Sequence, residues 1–422
     1  MPNPRKRLIA TLIALAMLIG STSIAQTTLR FTIWSGNQAH LDMLNGFAES
    51  FKEIRPDVNV QLDIIPFGDY VQKITLQLAG GNPPDLGWLA EATAPTFVDA
   101  GVLANLGPAL RSDPDYDFAD FSTSALGLWV KGDAVYGVPF STSPFFIYYN
   151  ADLFEAAGLE MPDVLAARGE WTWEAFRAAS KAIAEATPAG TYGFEQSDGE
   201  GYGARIWVTI TPMLRSFGGE AWDASDACML TAPESVEAME FYHAMIFDDR
   251  SIVPPGERAD FPSGRSGMTM TQLSRAAALV SAPFEWGIAP LPTGRAGDVA
   301  VVGQAGVVVF NNSSNRDVAI EFARHVTNQQ NVTTMAQFFP PARLSVLESD
   351  AFLTSNAIVS PEAMAIIADG IARGSVIPSH PLFPQIDASA RPIFDAMWRA
   401  DADVPAVLAR ICEAIDPLLR QR

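Results

Sequence analysis

Residues 134–159, AVYGVPFSTSPFFIYYNADLFEAAGL, are the stretch of this 422-residue chain that decides the fold. Their apolar first part predicts a pair of hydrophobic strands, which the Tyr148-Tyr149-Asn150 sequence ends. An amphipathic run that closes at Gly158 predicts a short helix directly afterwards. Strands that lead at once into a helix are typical of α/β proteins, and the sequence on the N-terminal side follows the same pattern.

Strands and helices alternate before that stretch. Apolar residues recur either at every second position or at helical spacing, and breakers such as Pro56-Asp57 separate the segments. Because a helix connects the first two strands, they should be parallel with a right-handed crossover, in a sheet that carries helices on both faces. The predicted elements are a strand over 29–34, a helix over 41–54, a strand over 58–64, a helix over 70–78 and a strand over 85–89.

Helices are more frequent after that stretch. One near-continuous apolar strand stands among them and contains Gly303 and Gly306, and glycine in a strand often marks a bend or a close approach of another backbone. The Pro340-Pro341 pair predicts a rigid connector over 339–343. The remaining predicted elements are helices over 171–186, 233–247, 317–331, 391–398 and 404–419, and the strand over 300–310.

The composition indicates a folded, acidic protein that is long enough for two lobes, each with its own core. Hydrophobic residues make up 48% of the chain and charged residues 18%, which is typical of globular proteins. The formal net charge is −20, and the chain has no long basic run. We therefore expect neither nucleic acid nor an anionic membrane surface as a partner.

The N-terminus has the features of a secretory signal peptide. A basic segment over 5–7 precedes an apolar run over 8–20, and the Ser-Ile-Ala sequence over 23–25 is a small-x-small cleavage site. The apolar run would span about 20 Å as a helix, less than the roughly 30 Å core of a bilayer, so a membrane anchor is disfavoured. We expect residues 1–25 to be removed and the mature protein to be free in the periplasm.

The chain has two cysteines, Cys228 and Cys412. An oxidising compartment permits a disulfide between them, whereas two buried free thiols would behave as small apolar residues. The sequence does not supply the geometry that a disulfide requires, so both alternatives stay open at this point.

Three loops are expected on one rim of the predicted sheet, because ligands of parallel α/β sheets lie beyond the carboxyl ends of the strands. They are residues 34–38, 66–70 and 88–91, and each contains an aromatic residue and polar groups. An aromatic ring can stack on the apolar C–H face of a sugar while fixed donors and acceptors bind its hydroxyl groups. This rim is therefore the predicted ligand site.

A series of motifs resembles, in order and spacing, those of the bacterial extracellular solute-binding proteins that supply sugars to ABC importers. The resemblance covers nearly the whole chain after residue 29. It implies a two-lobed α/β periplasmic-binding-protein fold, type II-like, with three hinge segments that cross between the lobes. The motifs are GNPPDLGWL (81–89), YGVPFSTSPFFIYYNADLF (136–154), WTWEAF (171–176), SFGGEAWD (216–223), FPSGRSGMTM (261–270), WGIAPLPTG (286–294) and FPPARLSV (339–346).

By position, the resemblance also implies the lobe boundaries. Small residues absorb the backbone rotation of a hinge at low cost, and Gly303, Gly306 and the predicted connector all fall on implied crossings. The implied crossings lie near 141–145, 302–306 and 343–346. The implied N-terminal lobe comprises 26–141 and 306–343, and the C-terminal lobe comprises 142–305 and 344–422.

The rim and the resemblance together yield a set of candidate ligand contacts. Trp34 and Trp88 would stack on a sugar ring, and Glu91 would accept hydrogen bonds from hydroxyl groups. Arg343 would clamp a pair of hydroxyls or an anionic group. The structural alternatives are core tryptophans, a helix-terminal acid, and an arginine whose salt bridge stiffens the third crossing. The full set is Trp34, Ser35, Asn37, Gln38, Tyr70, Trp88, Glu91, Ser141, Ser143, Thr271, Gln272, Gly303, Gln304 and Arg343.

The implied function is to bind a carbohydrate between the lobes and to deliver it to membrane permease subunits, by a monomer that needs neither cofactor nor metal. Few candidates are basic, which disfavours a phosphorylated ligand. Ser143 stands where some sugar-binding relatives carry an acid, which argues against a maltose-like ligand. The alternatives are a binding protein for a polyol or glycerol phosphate, a periplasmic sensor subunit, and a secreted glycosidase. A glycosidase needs two paired carboxylates, and Glu91 has no evident second.

Overall fold

The computed structural model describes residues 26–196, 202–203 and 205–421, so the predicted signal peptide lies outside the described residues. The strands are β1 (Thr27–Ile33), β2 (Val58–Ile64), β3 (Leu86–Ala90), β4 (Val130–Lys131), β5 (Ala134–Val135), β6 (Val138–Pro144), β7 (Phe146–Asn150), β8 (Tyr192–Gln196), β9 (Ser266–Thr271), β10 (Trp286–Ala289), β11 (Val301–Val309) and β12 (Ser375–Val376). In these parts of the chain, no helix is both long enough and apolar enough to span a bilayer.

Helices of very different length connect these strands. The helices are α1 (Gln38–Ile54), α2 (Phe67–Ala79), α3 (Ala94–Asp99), α4 (Gly107–Arg111), α5 (Thr123–Leu126), α6 (Ala151–Ala156), α7 (Pro162–Ala167), α8 (Trp173–Ala186), α9 (Ile206–Phe217), α10 (Pro233–Phe247), α11 (Arg316–Val326), α12 (Gln329–Met335), α13 (Leu344–Leu347), α14 (Asp350–Leu353), α15 (Pro361–Arg373), α16 (Phe383–Phe394) and α17 (Val404–Leu419). Short 3-10 turns occupy Pro114–Tyr116, Phe118–Asp120, Phe261–Ser263, Leu273–Ala278 and Asp395–Met397.

Among the described residues, the main strands form two sheets. The larger sheet has the order β12-β11-β3-β1-β2, and β6 also pairs with β11, whereas the smaller sheet has the order β10-β7-β9-β8. β1 is parallel to β2, in register from Thr27 opposite Val58 to Ile33 opposite Ile64, and it is also parallel to β3. This confirms the predicted β-α-β unit, whose apolar positions in β1 face the core.

The two predicted strands of this stretch are present as β6 and β7, but they belong to different sheets and do not pair with each other. β6 is antiparallel to β11, with Pro144 opposite Val302, whereas β7 pairs with β9 and β10. A hairpin needs a turn of at least about two residues, and only Phe145 lies between the two strands. The chain therefore runs straight from one sheet into the other.

Buried side chains form separate cores on the two sheets. Phe31 and Val307 belong to the core of the larger sheet, and Ile147 belongs to the core of the smaller one. Val301 packs with Ile147 although it lies in the same strand as Val307. β11 therefore passes from one core to the other, and the fold is the expected two-lobed α/β architecture.

Within the described residues, the chain crosses between the lobes at three places, as expected. The first crossing is the passage from β6 to β7, and the second is β11. At the third, Ala342 packs in the core of the larger sheet, whereas Val346 in α13 packs with Phe146 and Tyr148 of the smaller sheet. All three segments run side by side at one place, because the N–H of Thr142 donates to the carbonyl of Pro340 at 2.8 Å.

Two helix predictions need correction. Residues 317–331 contain the separate helices α11 and α12, because the side chain of Asn328 accepts a hydrogen bond from the N–H of Asn331 at 2.7 Å and caps a new helix. The predicted helix over 391–398 is the end of α16, which begins at Phe383. Pro384 in its first turn is compatible with a helix start, a signal that the prediction overlooked.

Cys228 and Cys412 form a disulfide, with their Cα atoms 5.4 Å apart. This settles the alternative that the sequence leaves open. The bond connects the segment that precedes α10 to the C-terminal helix α17, and both lie on the core of the smaller sheet. The N–H of Cys228 also donates to the carboxylate of Asp416 at 3.0 Å, so a second contact joins the same two segments.

Candidate functional site

A cavity of about 290 Å³ lies between the lobes, where the crossing strands meet. The larger-sheet lobe contributes the loop between β1 and α1, the end of β3 and the start of α2. The other lobe contributes the start of α9 and the turn after β9. The lining residues are Trp34, Ser35, Gly36, Asn37, His40, Phe67, Ala90, Glu91, Phe140, Ser141, Ser143, Phe145, Arg205, Val208, Gln272, Ser274, Arg275, Ala278, Gly303, Gln304, Ala305, Phe338 and Phe339.

Aromatic rings form much of the cavity wall. Trp34 directly follows β1 and is partly exposed, and its indole packs edge to face against Phe67, Tyr70 and Trp88 at centroid distances of 5.6, 5.3 and 5.1 Å. These contacts hold the indole in place while part of it remains open to the cavity. Such a fixed, partly exposed ring can stack on the apolar face of a ligand.

The loop between β1 and α1 supplies polar groups beside Trp34. The side chain of Asn37 accepts the N–H of Ala39 at 2.9 Å and caps α1, and the Ser35 hydroxyl lies 2.7 Å from Nδ1 of His40. Burial, followed by the charge of Arg275, lowers the pKa of His40 to about 4, so the ring is neutral at pH 7. Gln38 does not line the cavity, because it is exposed and its amide donates to Asp42 within α1.

Glu91 is the buried acid of the cavity. It is 6% exposed, and its Oε2 accepts the N–H of Gln304 in β11 at 2.7 Å. Burial raises the pKa of Glu91 to about 7, although its hydrogen bonds and the charge of Arg205 act in the opposite direction. The carboxyl group can therefore accept or donate a hydrogen bond near neutral pH.

The crossing strands place polar groups at the centre of the cavity. Ser141, Ser143, Gly303 and Gln304 all line it, and the Gln304 Oε1 accepts the indole N–H of Trp129 at 2.8 Å. The Gln304 Nε2 and the Ser143 hydroxyl are buried and have no partner among the described residues. These groups can bind a polar ligand without first giving up a protein contact.

A hydrogen bond at the cavity joins the turn after β9 to the crossing strand β6. The Gln272 side-chain amide, just after β9, donates to the carbonyl of Ser143 in β6 at 2.8 Å. A Cβ atom at Gly303 would collide with that amide, so a larger residue here would displace the end of the Gln272 side chain. Gln272 is thus both a cavity residue and a contact to the crossing strand β6.

Two arginines that are not among the candidates from the sequence, Arg205 and Arg275, line the cavity. The Arg205 guanidinium lies over the ring of Phe67, 5.1 Å from its centroid, although the two residues belong to different lobes. Its buried Nε has no hydrogen-bond partner among the described residues. Arg275 lies three positions after Gln272, in the 3-10 turn. The expectation of few basic cavity residues therefore needs correction. Arg275 could have been found from the sequence because it lies close to the candidate Gln272, whereas Arg205 lies near no candidate.

Three other candidates lie in the protein core instead of the cavity wall. Tyr70 is 2% exposed, and its hydroxyl donates to the carbonyl of Thr32 at 2.9 Å and accepts the N–H of Trp88 at 3.2 Å. Trp88 is fully buried, because β3 is a central strand with both faces covered. Thr271 is 4% exposed at the end of β9 and does not line the cavity.

Arg343 also lies away from the cavity, contrary to the expected contact. Its side chain is 1% exposed and pairs with Asp120 at 3.1 Å. It donates to the carbonyls of Tyr116 and Thr327 at 2.8 and 3.0 Å, and its guanidinium lies over the ring of Phe121 at 4.2 Å. These contacts match the structural alternative, in which a salt bridge of Arg343 stiffens the third crossing.

The cavity wall offers little for catalysis. Among the described residues that line it, Glu91 is the one carboxyl group, so the carboxylate pair of a glycosidase is not found there. Nor do the described residues contain a cluster of three or more histidine, cysteine, aspartate or glutamate side chains that could hold a metal ion.

A cavity between two lobes, lined by the strands that join them, defines a hinged ligand-binding protein. The family model of the bacterial extracellular solute-binding proteins matches residues 41–333, and the chain belongs to this family. The resemblance derived from the sequence motifs is thereby confirmed.

Individual relatives are distant in sequence. A binding protein of Brucella abortus is 26% identical over 282 residues. The match covers 64% of this chain and 65% of the length of that relative. An arabinooligosaccharide-binding protein of Halalkalibacterium halodurans is 23% identical over 80% of this chain and 76% of its own length. The structure of an ABC substrate-binding protein of Listeria monocytogenes with cycloalternan matches at a TM-score of 0.82 and 21% identity, covering 94% and 100% of the two chains. That match shows a shared fold.

Proposed function

We propose that this protein is the periplasmic substrate-binding component of an ABC importer, which binds a carbohydrate between its lobes and delivers it to a permease by hinge closure. The observation that carries the proposal is the cavity, whose wall comes from both lobes and from the strands that connect them. A ligand there contacts both lobes only in the closed state, so binding shifts the population toward closure. The permease subunits would recognise the closed form.

The cavity wall supports a carbohydrate ligand. Trp34 offers a flat apolar surface, while Ser35, Asn37 and Ser141 offer polar groups beside it. This combination suits a ring with an apolar C–H face and a polar rim. The arabinooligosaccharide-binding relative and the cycloalternan complex of the Listeria protein support the same ligand class.

The proposed closure divides the chain into an N-terminal lobe of residues 26–141 and 306–343 and a C-terminal lobe of residues 142–305 and 344–422. Val301 belongs to the core of the smaller sheet and Val307 to that of the larger sheet, so β11 changes core near this boundary, which supports it. The lobes would rotate about β6, β11 and the segment before α13, since a few residues can absorb the change of a hinge.

The proposed role requires no chemical reaction, and a single chain is sufficient for it. Glu91 is the one carboxyl group among the described lining residues, and this supports binding over glycoside hydrolysis. The predicted signal peptide over residues 1–25, together with the family, supports a periplasmic location. We therefore propose a monomeric periplasmic protein without enzymatic activity.

Tryptophan fluorescence of the mature protein from Gln26 onward tests this function. The protein would be titrated with mono-, di- and trisaccharides and with polyols, and the same samples would be assayed for ligand turnover. We expect a saturable change without turnover. Turnover would replace the proposal with a glycosidase, and no response to any compound would remove carbohydrate as the ligand class.

A matched pair of variants connects the signal to the cavity. Trp34→Phe should remove most of the fluorescence change and weaken binding, because this indole lines the cavity. Trp88→Phe should retain the change, because the Trp88 indole is fully buried below Trp34 and does not line the cavity. Equal effects of the two substitutions would contradict the proposed stacking on Trp34.

A further inference from the structure

The charge of the cavity wall is opposite to that of the whole chain. Acidic residues outnumber basic ones by 48 to 28 in the sequence. Among the described residues of the wall, by contrast, the charged side chains are Arg205, Arg275 and Glu91. Burial also favours the neutral form of that acid, since it raises the pKa of Glu91 to about 7. The described part of the wall therefore has a positive formal charge on an anionic protein.

Arg205 is held in a position suited to an anion. Its Cζ atom lies 5.1 Å from the centroid of the Phe67 ring, and this cation–π contact restrains the position of the guanidinium. The buried Nε has no hydrogen-bond partner among the described residues. A planar guanidinium binds carboxylate or phosphate oxygens through two parallel N–H donors, one of which is Nε. A ligand oxygen can therefore satisfy a donor that the described protein groups leave unpaired.

The other polar groups of the wall suit hydroxyls. The Gln304 Nε2 and the Ser143 hydroxyl are buried without partners among the described residues, and Glu91 supplies a carboxyl group. A carboxyl group and an amide in such positions bind the donor and acceptor functions of a sugar hydroxyl. The aromatic wall adds a surface for C–H groups.

The size of the cavity limits the ligand. At about 290 Å³ it lies at the lower end of the range of roughly 300–1,000 Å³ for small-molecule pockets. This volume fits a mono- or disaccharide better than a long oligosaccharide.

We infer that the ligand is an anionic polyhydroxy compound of mono- to disaccharide size, whose carboxylate or phosphate binds Arg205 and whose hydroxyls bind Glu91 and Gln304. The inference rests on the proposed function and narrows its ligand class. It makes Arg205 the residue that selects for the negative charge.

Calorimetric titration with matched ligand pairs tests the inference on the mature protein. The pairs are glucose with glucuronate, galactose with galacturonate, glucitol with gluconate, and glucose with glucose 6-phosphate. We expect the anionic member of at least one pair to bind about tenfold more tightly or better, and added salt to reduce the difference. The carboxylate and phosphate pairs distinguish the two sources of the charge.

Variants test the assignment to Arg205. Arg205→Gln should reduce the preference for the anionic member to near one, and Arg205→Lys should retain part of it. Arg399→Gln, a control at an ion pair whose arginine side chain is 67% exposed, should leave the preference unchanged. Thermal melts and the binding of the neutral member show whether each variant is folded.

The outcomes separate the inference from the proposed function. Binding of the neutral members with equal or greater affinity would overturn the inference and leave the carbohydrate-binding function intact. An unchanged preference in folded Arg205→Gln would also overturn it. If none of these compounds binds, both the inference and the proposed carbohydrate-binding function are overturned.

Discussion

The Glu91 carboxyl group accepts the backbone N–H of Gln304 at 2.7 Å, and the N–H of Glu91 donates to the carbonyl of Gln304 at 3.0 Å. The end of β3 is thereby joined to the crossing strand β11 by a side-chain and a main-chain bond. Because the group is 6% exposed, burial raises its pKa to about 7. The protonation state of Glu91 therefore affects both the cavity and the stability of the fold.

We expect the Glu91 contribution to the free energy of unfolding to decrease as the pH rises from about 4.5 to about 7. The folded-state pKa lies above the ordinary value of 4.5, so the unfolded chain releases this proton first and binds fewer protons in that window. The loss is at most about 3 kcal/mol, for a shift of roughly two and a half pKa units. Urea unfolding of the wild type and of Glu91→Gln, at about pH 5 and pH 8, measures it.

Glu91→Gln retains an oxygen that can accept the Gln304 N–H but has no proton to release. Its free energy of unfolding should therefore vary less with pH than that of the wild type. Glu174→Gln is the control, because this residue is exposed on α8. A variant at Glu91 with the pH slope of the wild type would show that this carboxyl group does not carry the effect.

The fold could be predicted where local periodicity decides the structure. The alternation of Leu29, Phe31 and Ile33 and the helical spacing that follows are sufficient for the parallel β1–α1–β2 unit. The separation of β6 and β7 into two sheets could not be predicted in the same way. Both strands are buried along their whole length, so their pattern does not indicate which partner strands they have.

The cavity could be predicted only in part. Ser35 and Asn37 follow directly from the rule that ligands lie beyond strand ends. Trp88 lies in the middle of β3, and the rings of Phe31, Phe140 and Phe339 pack around its indole and bury it. These contacts come from other segments, so they are a tertiary property. Arg205 reaches the ring of Phe67 from the other lobe, 138 positions away in sequence, and no local pattern encodes such a contact.

Gly303→Ala should weaken ligand binding by about threefold. The added Cβ would collide with the Gln272 amide, which donates to the carbonyl of Ser143 in the crossing strand β6. Relieving the collision breaks that bond or shifts β11 at the hinge. Gly36→Ala is the matched control, since Gly36 also lines the cavity but a Cβ there would meet no atom within 4 Å.

Equilibrium titration with the ligand found by fluorescence measures both glycine variants, and small-angle scattering measures closure on ligand addition. Gly36→Ala should close as the wild type does. If Gly303→Ala binds and closes normally, the approach of Gln272 to β11 has no part in the closed state.

Arg343→Met should lower the free energy of unfolding by about 3–5 kcal/mol. The substitution leaves the nearly buried Asp120 and the carbonyls of Tyr116 and Thr327 without their donor. Arg316→Met, at an ion pair whose side chains are 49% and 85% exposed, should cost less than about 1 kcal/mol. Urea unfolding curves compare the two variants.

Ligand affinity of Arg343→Met should remain within about twofold of the wild type, because Arg343 does not line the cavity. A folded variant with normal stability and lost binding would restore the direct ligand contact that the sequence suggested.

Removal of the Cys228–Cys412 disulfide should reduce stability without affecting ligand binding. The bond connects residues that are 184 positions apart, and restriction of the unfolded chain by such a link typically contributes about 2–5 kcal/mol. Neither cysteine lines the cavity, so the double variant Cys228→Ala, Cys412→Ala should melt at a lower temperature and bind ligand as the wild type does. Thiol titration of the denatured, unreduced protein should detect no free thiol. Two free thiols in protein taken from the periplasm would contradict the disulfide, and in that case reduction would leave the melting temperature unchanged.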